Sequence, residues 1–543
     1  MLPVSNISTT GKAMRPQTEY EMALLVLKER GMQDAILKRY MPEPPRDTVF
    51  QHTRNCLKWI GITLDEIDKL SVIHVAGTKG KGSTCSYVES ILRHHGYKTG
   101  CFSSPHTVDY RERICINGQM VSKDVFSSAF WHVYEKLLLS KGPNDRMPSM
   151  FCLVLLVAIY IFVRVEEVDV AIIEVGVGGQ FDQTNVIRRP VVCGITALHL
   201  DHQDVLGNTI GEIAWHKAGI FKKGVPAVTT PQSSHCAMEV LVNSANEREC
   251  PLFVAPPLNE SQLGEGLCLG IAGGKQLYNA ALAVQLARIW LQDKNGLGHS
   301  QKERKAYQGP LSDVADIPEL STSKLSAEMM TGLVNTRLAG RAQIMRKGNV
   351  TYYLDGAHTT GSMEQCAQWF QDEATKEQST IHMGKPRHAV PHLHYLKDCG
   401  FRVAAFCPSV VSTSARGHFV DHLSLTYDPA DANQRAAQQV EDWEAILSSR
   451  PTGQPNVCNG DASADPACLS ASFTSTVSAL WWASLGKNVS LEALARADLR
   501  MDGGGLRGGA VEVPDVDAAH VQVLVTGSML MAGGAIKLLD AKE

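Results

Sequence analysis

Short apolar runs rich in β-branched residues recur along the first half of the chain, at Ser71–Ala76, Val168–Val175 and Pro190–Thr196. Each ends in glycine or a polar turn and is followed by residues suited to a helix. Strands buried on both faces read as continuous apolar runs, and their alternation with helices predicts a parallel α/β sheet. A second series opens at Asn349–Leu354 and closes with Val521–Thr526, just before Gly527 and Ser528. Between the two, 295–326 turns to Lys, Gln, Ser, Asp and Pro without periodicity, which is the signature of a linker. The pattern therefore predicts a flexible leader over 1–18, a first α/β domain over 19–294, a linker over 295–326 and a smaller α/β domain over 327–543. A polar, Pro- and Gly-rich stretch near 412–465 reads as a long surface excursion from the second domain. The longest apolar run, the 13 residues Phe151–Val163, is followed by Arg164. It is too short to cross a bilayer core of about 30 Å and predicts a buried helix.

Composition narrows the function more by exclusion than by assertion. With 543 residues, 44% hydrophobic and 20% charged, the chain can bury more than one core. A net charge of -4, from 52 basic and 56 acidic residues, supplies no general attraction to nucleic acid or to anionic membrane. Any anionic ligand must be held by a local site. Fourteen cysteines, none in CxxC spacing and several inside apolar stretches (Cys152, Cys193, Cys366), predict reduced, buried thiols and a reducing compartment. Before Glu19 the N-terminus carries Lys12, Arg15, several Ser and Thr and no acid. That composition is shared by organelle-targeting peptides, but without an arginine-rich amphipathic face it reads first as an unstructured leader.

The strongest chemical signal lies where the run Val72–Ala76 passes into Gly77-Thr78-Lys79-Gly80-Lys81-Gly82-Ser83-Thr84, and then into a helical pattern through Tyr87, Val88, Ile91 and Leu92. Strand, glycine loop and helix stand in the order that phosphate binding requires. Glycines let backbone N–H groups converge on phosphate oxygens, the helix N-terminus adds partial positive charge, and Lys81 can reach the terminal phosphates. A glycine-rich turn with a surface lysine is the plainer alternative, and the flanking strand and helix weigh against it. Gly82 stands between Lys81 and Ser83, a departure from the common GxxxxGK[ST] spacing. This GT(N/K)GKGS form resembles the loop of the Mur ligase superfamily, whose members join an amino acid to a carboxylate at the expense of ATP.

Other segments carry the resemblance further. Ser103-Ser104-Pro105-His106 with Arg111–Ile114 and Ile116–Gly118, Ile172–Gly179, Asp182–Val186, Leu200-Asp201-His202, Leu206–Ile210 and Ile213–Lys222 follow one another as in folylpolyglutamate synthases of the eukaryotic type. In the second half Leu338–Arg341, Tyr353–His358 and Val523–Leu539 are similar to the same family. The similarity spans nearly the whole chain from Tyr20. It implies a P-loop parallel-sheet ATPase domain followed by a smaller Rossmann-like α/β C-terminal domain. It also implies addition of L-glutamate to the γ-carboxylate of a reduced folate, through an acyl phosphate, with release of ADP and phosphate.

The roles that the resemblance implies are as follows. Gly77, Thr78, Lys79, Gly80, Lys81, Gly82, Ser83, Asn279, Arg341 and Asp355 contact ATP, while Ser104, Glu174 and His202 place Mg2+. Lys217 either joins the metal set as a carbamate or stays a plain lysine donating to phosphate or carboxylate. Catalysis falls to Lys81, Lys217, Arg341 and His358, and the folate-side loop to Ser103, Pro105, His106 and Arg113. A monovalent cation such as K+ is a further candidate. The expected partners are ATP, L-glutamate and reduced folates, with no nucleic acid, no integral membrane segment, a monomeric state, and a cytoplasmic location that extends to mitochondria. The sequence departs from the family at Lys275, upstream of Asn279, and over Asp372–His394, where no buried strand can be threaded. The second departure predicts either a locally rearranged second domain or a chain read from an imperfect gene model, whose activity would then be in question. Two other readings stay open at this point: a dihydrofolate synthase, which would load dihydropteroate, and a nucleotide-binding protein without ligase activity.

Overall fold

The computed structural model describes residues 18–40, 46–143, 145–263, 268–296, 311, 313–320, 325–358, 360–374, 381–384, 393–396, 399, 401, 403–407, 429–448, 469–486, 488, 491–492, 495–496 and 521–540. Two sheets organise them. The first holds β1 (Val72–Ala76), β2 (Thr99–Phe102), β3 (Ile114–Ile116), β4 (Gln119–Met120), β5 (Val170–Glu174), β6 (Val192–Ile195), β7 (Ala227–Thr229) and β8 (Leu252–Val254), in the order β4-β3-β2-β5-β1-β6-β7-β8. From β2 to β8 the pairs are parallel, with an antiparallel β3–β4 hairpin at one edge. All residues of β1, β5 and β6 are buried, which is why these strands appear as unbroken apolar runs. The run at Phe151–Val163 forms the helix Met150–Tyr160, started by the Ser149 side chain on the amide of Cys152. Every residue from Cys152 to Ile159 is buried, because this helix is packed on all sides.

The second sheet holds β9 (Gln343–Lys347), β10 (Val350–Leu354), β11 (Ile381–Gly384), β12 (Val403–Phe406), β13 (Leu469–Ser472) and β14 (Val521–Thr526), in the order β13-β12-β11-β14-β10-β9. All its pairs are parallel except β9–β10. The second series thus begins one strand earlier than the apolar pattern suggests, because β9 is an edge strand of mixed polarity. A strand does run through Asp372–His394: β11 lies centrally, with Ile381 opposite Val523 and His382 opposite Ala404. Backbone pairing to β14 on one side and β12 on the other imposes a strand that its own composition does not announce.

Two further expectations need correction. The stretch assigned to a linker is partly packed: Ile317 and Leu320 are buried, Glu319 bridges Val254, and Leu311 exchanges two hydrogen bonds with the Asn246 side chain. After it, the helix Ala327–Asn335 packs Met329 and Leu333 into the core of the first sheet, so the change of core comes later than residue 327. The stretch at 412–465 read as a surface excursion contains the whole helix Pro429–Ser448, whose Ala436, Trp443 and Ile446 are buried. Polar composition masked an amphipathic helix there. The rest of that stretch, and the leader over 1–17, lie outside the described residues. Cys152, Cys193 and Cys366 are free and buried, and no described helix is long and apolar enough to cross a membrane.

Candidate active site

The glycine loop leaves the C-terminal end of β1 at the centre of the first sheet, where ligands of open α/β sheets gather. Gly80 sits at φ 89° as the N-cap of the helix Lys81–His94, which has no side-chain cap, so its first amides face outward. A Cβ on Gly80 would lie 2.2 Å from Asn279 Oδ1, and one on Gly77 only 1.8 Å from Thr196 Oγ1. Both positions therefore require glycine. The loop is tied back by the amides of Thr78 and Lys79, which donate to the Ala197 carbonyl, and by Lys79 Nζ, 3.4 Å from Asp201 Oδ2. Asn279 stands in the first turn of the helix Gln276–Lys294 and donates to Gln276 Oε1, while Lys275 is that helix's N-cap.

Glu174 ends β5, in register with Val75 on β1, and is buried. Its Oε2 accepts the Ser104 amide at 3.1 Å, and its Oε1 is 4.0 Å from Lys81 Nζ. Burial pushes its carboxyl above the ordinary range, against the pull of Lys81, the Ser104 amide, Arg341 and Arg113. The loop with Ser103, Ser104 and Pro105 is closed from behind: the Ser103 amide donates to the Arg113 carbonyl, and Arg113 Nε donates to His106 Nδ1 at 2.8 Å. His106 and Arg113 are both buried. His202, exposed at φ 52°, has its amide on Asp201 Oδ1. Desolvation by the surrounding loops holds its ring below the usual histidine range, opposed by Asp201 and reinforced by Lys81, Lys217 and Lys79.

Lys217, in the helix Ile210–Ala218, is buried, and its Nζ donates to the Gly77 carbonyl at 2.8 Å. Burial, followed by the charge of Lys81, lowers its ammonium to about 7. From the second sheet, the turn after the helix Ala327–Asn335 brings Leu338 within 3.8 Å of where a Gly82 Cβ would sit. Arg341 follows, close enough to depress the ammonium of Lys79 and to favour the charged form of Glu174. Asp355, at the end of β10, accepts the amides of Ala342 and Ala357 at 2.9 and 2.8 Å and so fixes the turn that carries Arg341. His358 bonds within its own turn, its amide donating to Ser362 Oγ and its Nδ1 lying 2.9 Å from the Gly356 carbonyl.

No model of a known protein family matches the chain. Among individual proteins, it is 36% identical over 556 residues to the mitochondrial folylpolyglutamate synthase of Bos taurus, covering 97% of this chain and 93% of the relative. The chain belongs to the folylpolyglutamate synthase family. Its fold is shared by the Mycobacterium tuberculosis folylpolyglutamate synthase solved with ADP and AMPPCP, with a TM-score of 0.62, 21% identity, and 95% and 99% of the two chains covered. A bifunctional folylpolyglutamate synthase/dihydrofolate synthase of Yersinia pestis, solved with AMPPNP and Mn, has a TM-score of 0.60, 20% identity, and coverage of 98% and 100%.

Sequence reasoning left out three residues of this synthase-family site. Asp201 is the ion-pair partner of Lys79 and the acceptor of the His202 amide. Asp182 and Thr184 lie buried beneath the loop that follows Glu174. All three stand inside motifs already legible, yet only their neighbours drew a role. Among the described residues no group of three His, Cys, Asp or Glu side chains is placed to hold a metal ion. A magnesium that takes one or two carboxylates and completes its shell with phosphate and water needs no such group. Glu174, buried, facing three cations and bonded to the Ser104 amide, with His202 sharing Lys81 as a neighbour, fits that demand.

Proposed function

We propose that this chain is an ATP-dependent ligase that adds L-glutamate to the γ-carboxyl of reduced folates and their polyglutamates, releasing ADP and phosphate. The observation that carries this reading is the convergence of Lys79, Lys217 and Arg341 with Lys81 at the open N-terminus of the helix Lys81–His94, where Lys81 and Arg341 face the buried Glu174. A carboxylate does not yield hydroxide to an amine at neutral pH. Its activation by the ATP γ-phosphoryl group makes phosphate the leaving group instead. Phosphoryl transfer depends on positioning and neutralisation of charge, and the surplus of cations matches that need.

In this reading Gly77, Thr78, Lys79, Gly80, Gly82 and Ser83 bind the phosphates through backbone and side chain, and Asn279 borders the nucleotide. Lys81 and Arg341 stabilise charge on the transferring group from opposite sheets, and His358 lines the same face. Ser104, Glu174 and His202 would hold Mg2+, which supplies charge neutralisation for the phosphates. Lys217, if carbamylated, adds an anionic oxygen to that set, and K+ is a candidate second cation. The loop with Ser103, Pro105, His106 and Arg113 borders the folate. A first domain over 19–294 completed by the helix Ala327–Asn335, a second domain from there to 543, a monomeric state and activity in cytoplasm and mitochondria complete the proposal. One chain supplies both faces of the site, and the bovine relative is named as mitochondrial.

The test is incorporation of labelled glutamate by the purified full chain, with ATP and Mg2+. Tetrahydrofolate should give a γ-linked product and one ADP per glutamate. Turnover with dihydropteroate alone, or ATP binding without glutamate-dependent ADP release, would overturn the assignment.

A further inference from the structure

His74 occupies the middle of β1, three residues before the glycine loop, and is fully buried. Its Nε2 lies 2.9 Å from Thr184 Oγ1, and the same hydroxyl lies 2.5 Å from Asp182 Oδ1. Asp182 also accepts the amides of Thr184 at 2.9 Å and Val177 at 3.0 Å. Burial pushes the Asp182 carboxyl above its ordinary range, while the Thr184 hydroxyl and the amides of Val177, Thr184 and Gly176 pull it back; with these donors all aimed at its oxygens it serves as the anion, which can only accept. The single hydroxyl proton of Thr184 therefore goes to Asp182, and His74 must supply a proton from Nε2 to the hydroxyl oxygen. Its Nδ1, which has no hydrogen-bond partner among the described residues, then carries none. Burial lowers the imidazole to about 3, in keeping with a ring that stays neutral.

The end of this relay reaches the site. The loop that Asp182 holds runs from Glu174 to Gly179, and the far end of that loop rests on the helix bearing Lys217. A Cβ on Gly179 would meet the carbonyls of His216 and Lys217 at 2.7 and 2.9 Å, and the Gln180 amide donates to the His216 carbonyl at 2.6 Å. The 3-10 turn that carries Thr184, Gln183–Val186, is tied to the end of the same helix by Asn185 Nδ2 on the Gly219 carbonyl at 3.0 Å. Asp182 thus stands under a bridge whose two piers are Glu174 and Lys217.

We propose that His74 is a positioning residue: its fixed Nε2–H orients the Thr184 hydroxyl on Asp182, and through the loop 175–179 sets the spacing between Glu174 and Lys217. The inference rests on the ligase reading for its kinetic consequence, but its structural claim can be read from cation binding alone. Misplacement of a reacting group by about 1 Å costs up to about 100-fold in rate, and a relaxed loop should cost part of that.

Four variants separate the relay from simple packing. His74→Gln keeps an N–H near the Nε2 position and Thr184→Ser keeps the hydroxyl, whereas His74→Asn and Thr184→Val remove one link each. We expect His74→Asn and Thr184→Val to weaken Mn2+ binding, measured as free Mn2+ by electron paramagnetic resonance with ADP present, by about tenfold. Their kcat should fall by a similar factor with KM for ATP nearly unchanged, and the Gln and Ser variants should stay within about threefold of wild type. The proposal is overturned if His74→Gln falls as far as His74→Asn. It is also overturned if the Asn and Val variants lose only melting temperature while Mn2+ binding and kcat per folded molecule hold. A wild-type chain that binds Mn2+ but turns over no folate would instead indict the ligase reading and leave this test intact.

Discussion

The two sheets contribute to the site in opposite styles. The first sheet gathers ends from β1, β2, β5 and β6 and locks them together by hydrogen bonds that each use at least one backbone group: Lys217 Nζ on the Gly77 carbonyl, the Ser104 amide on Glu174 Oε2, and the Thr78 and Lys79 amides on the Ala197 carbonyl. The second sheet sends one guanidinium, Arg341, on a turn held by the two amide bonds to Asp355. A site that must grip a triphosphate needs many fixed donors, whereas charge that appears only during transfer can be met by a single mobile-length side chain from across a cleft. Binding should therefore depend on the first sheet, and the chemical step on both.

The largest effect should come from Lys81→Ala, with turnover falling by about 1,000-fold or more and nucleotide affinity falling with it, as measured by ADP release and by titration with ADP. Arg341→Ala sharpens the contrast: kcat should drop by about 100-fold or more while the dissociation constant for ADP moves by less than about threefold. Equal losses in binding and kcat for Arg341→Ala would break the comparison. Asp355→Asn leaves the charge of Arg341 in place but exchanges an acceptor oxygen for a donor, at a cost of about 1–3 kcal/mol. Melting temperature should fall, and kcat should fall by about tenfold.

An effect confined to low pH concerns stability. The His74 ring is lowered from 6.5 to about 3 by burial, so below pH 6.5 the unfolded chain binds a proton that the folded chain refuses. Stability should then decline as pH falls from 6.5 towards 3, by at most about 1.4 kcal/mol per pH unit from this group, and contribute nothing above that window. In urea titrations His74→Gln should flatten the decline.

Sequence and structure agree where local chemistry forces local form. The apolar runs of β1, β5, β6, β10 and β14 stand within a residue or two of the observed strands, because strands buried on both faces leave no room for polar residues. The glycine loop is legible because Gly77 and Gly80 meet Thr196 and Asn279 too closely for any side chain. What was not legible is set by neighbours distant in sequence. β11 exists through pairing to β12 and β14, and the helix Ala327–Asn335 belongs to the first core because Met329 and Leu333 pack into it and Gly332 lies against Ile91. The pairing of Lys79 with Asp201 and the relay from His74 through Thr184 to Asp182 each join residues more than a hundred positions apart, which no spacing rule could reveal.

In the proposed reaction ATP is spent on the folate γ-carboxyl before glutamate attacks. With 18O in both oxygens of that carboxylate, one labelled oxygen should appear in the phosphate released for each glutamate joined, because the oxygen that attacks the γ-phosphorus leaves with it. Phosphate free of label, with both labelled oxygens still on the unreacted folate or the label lost to water, would contradict it.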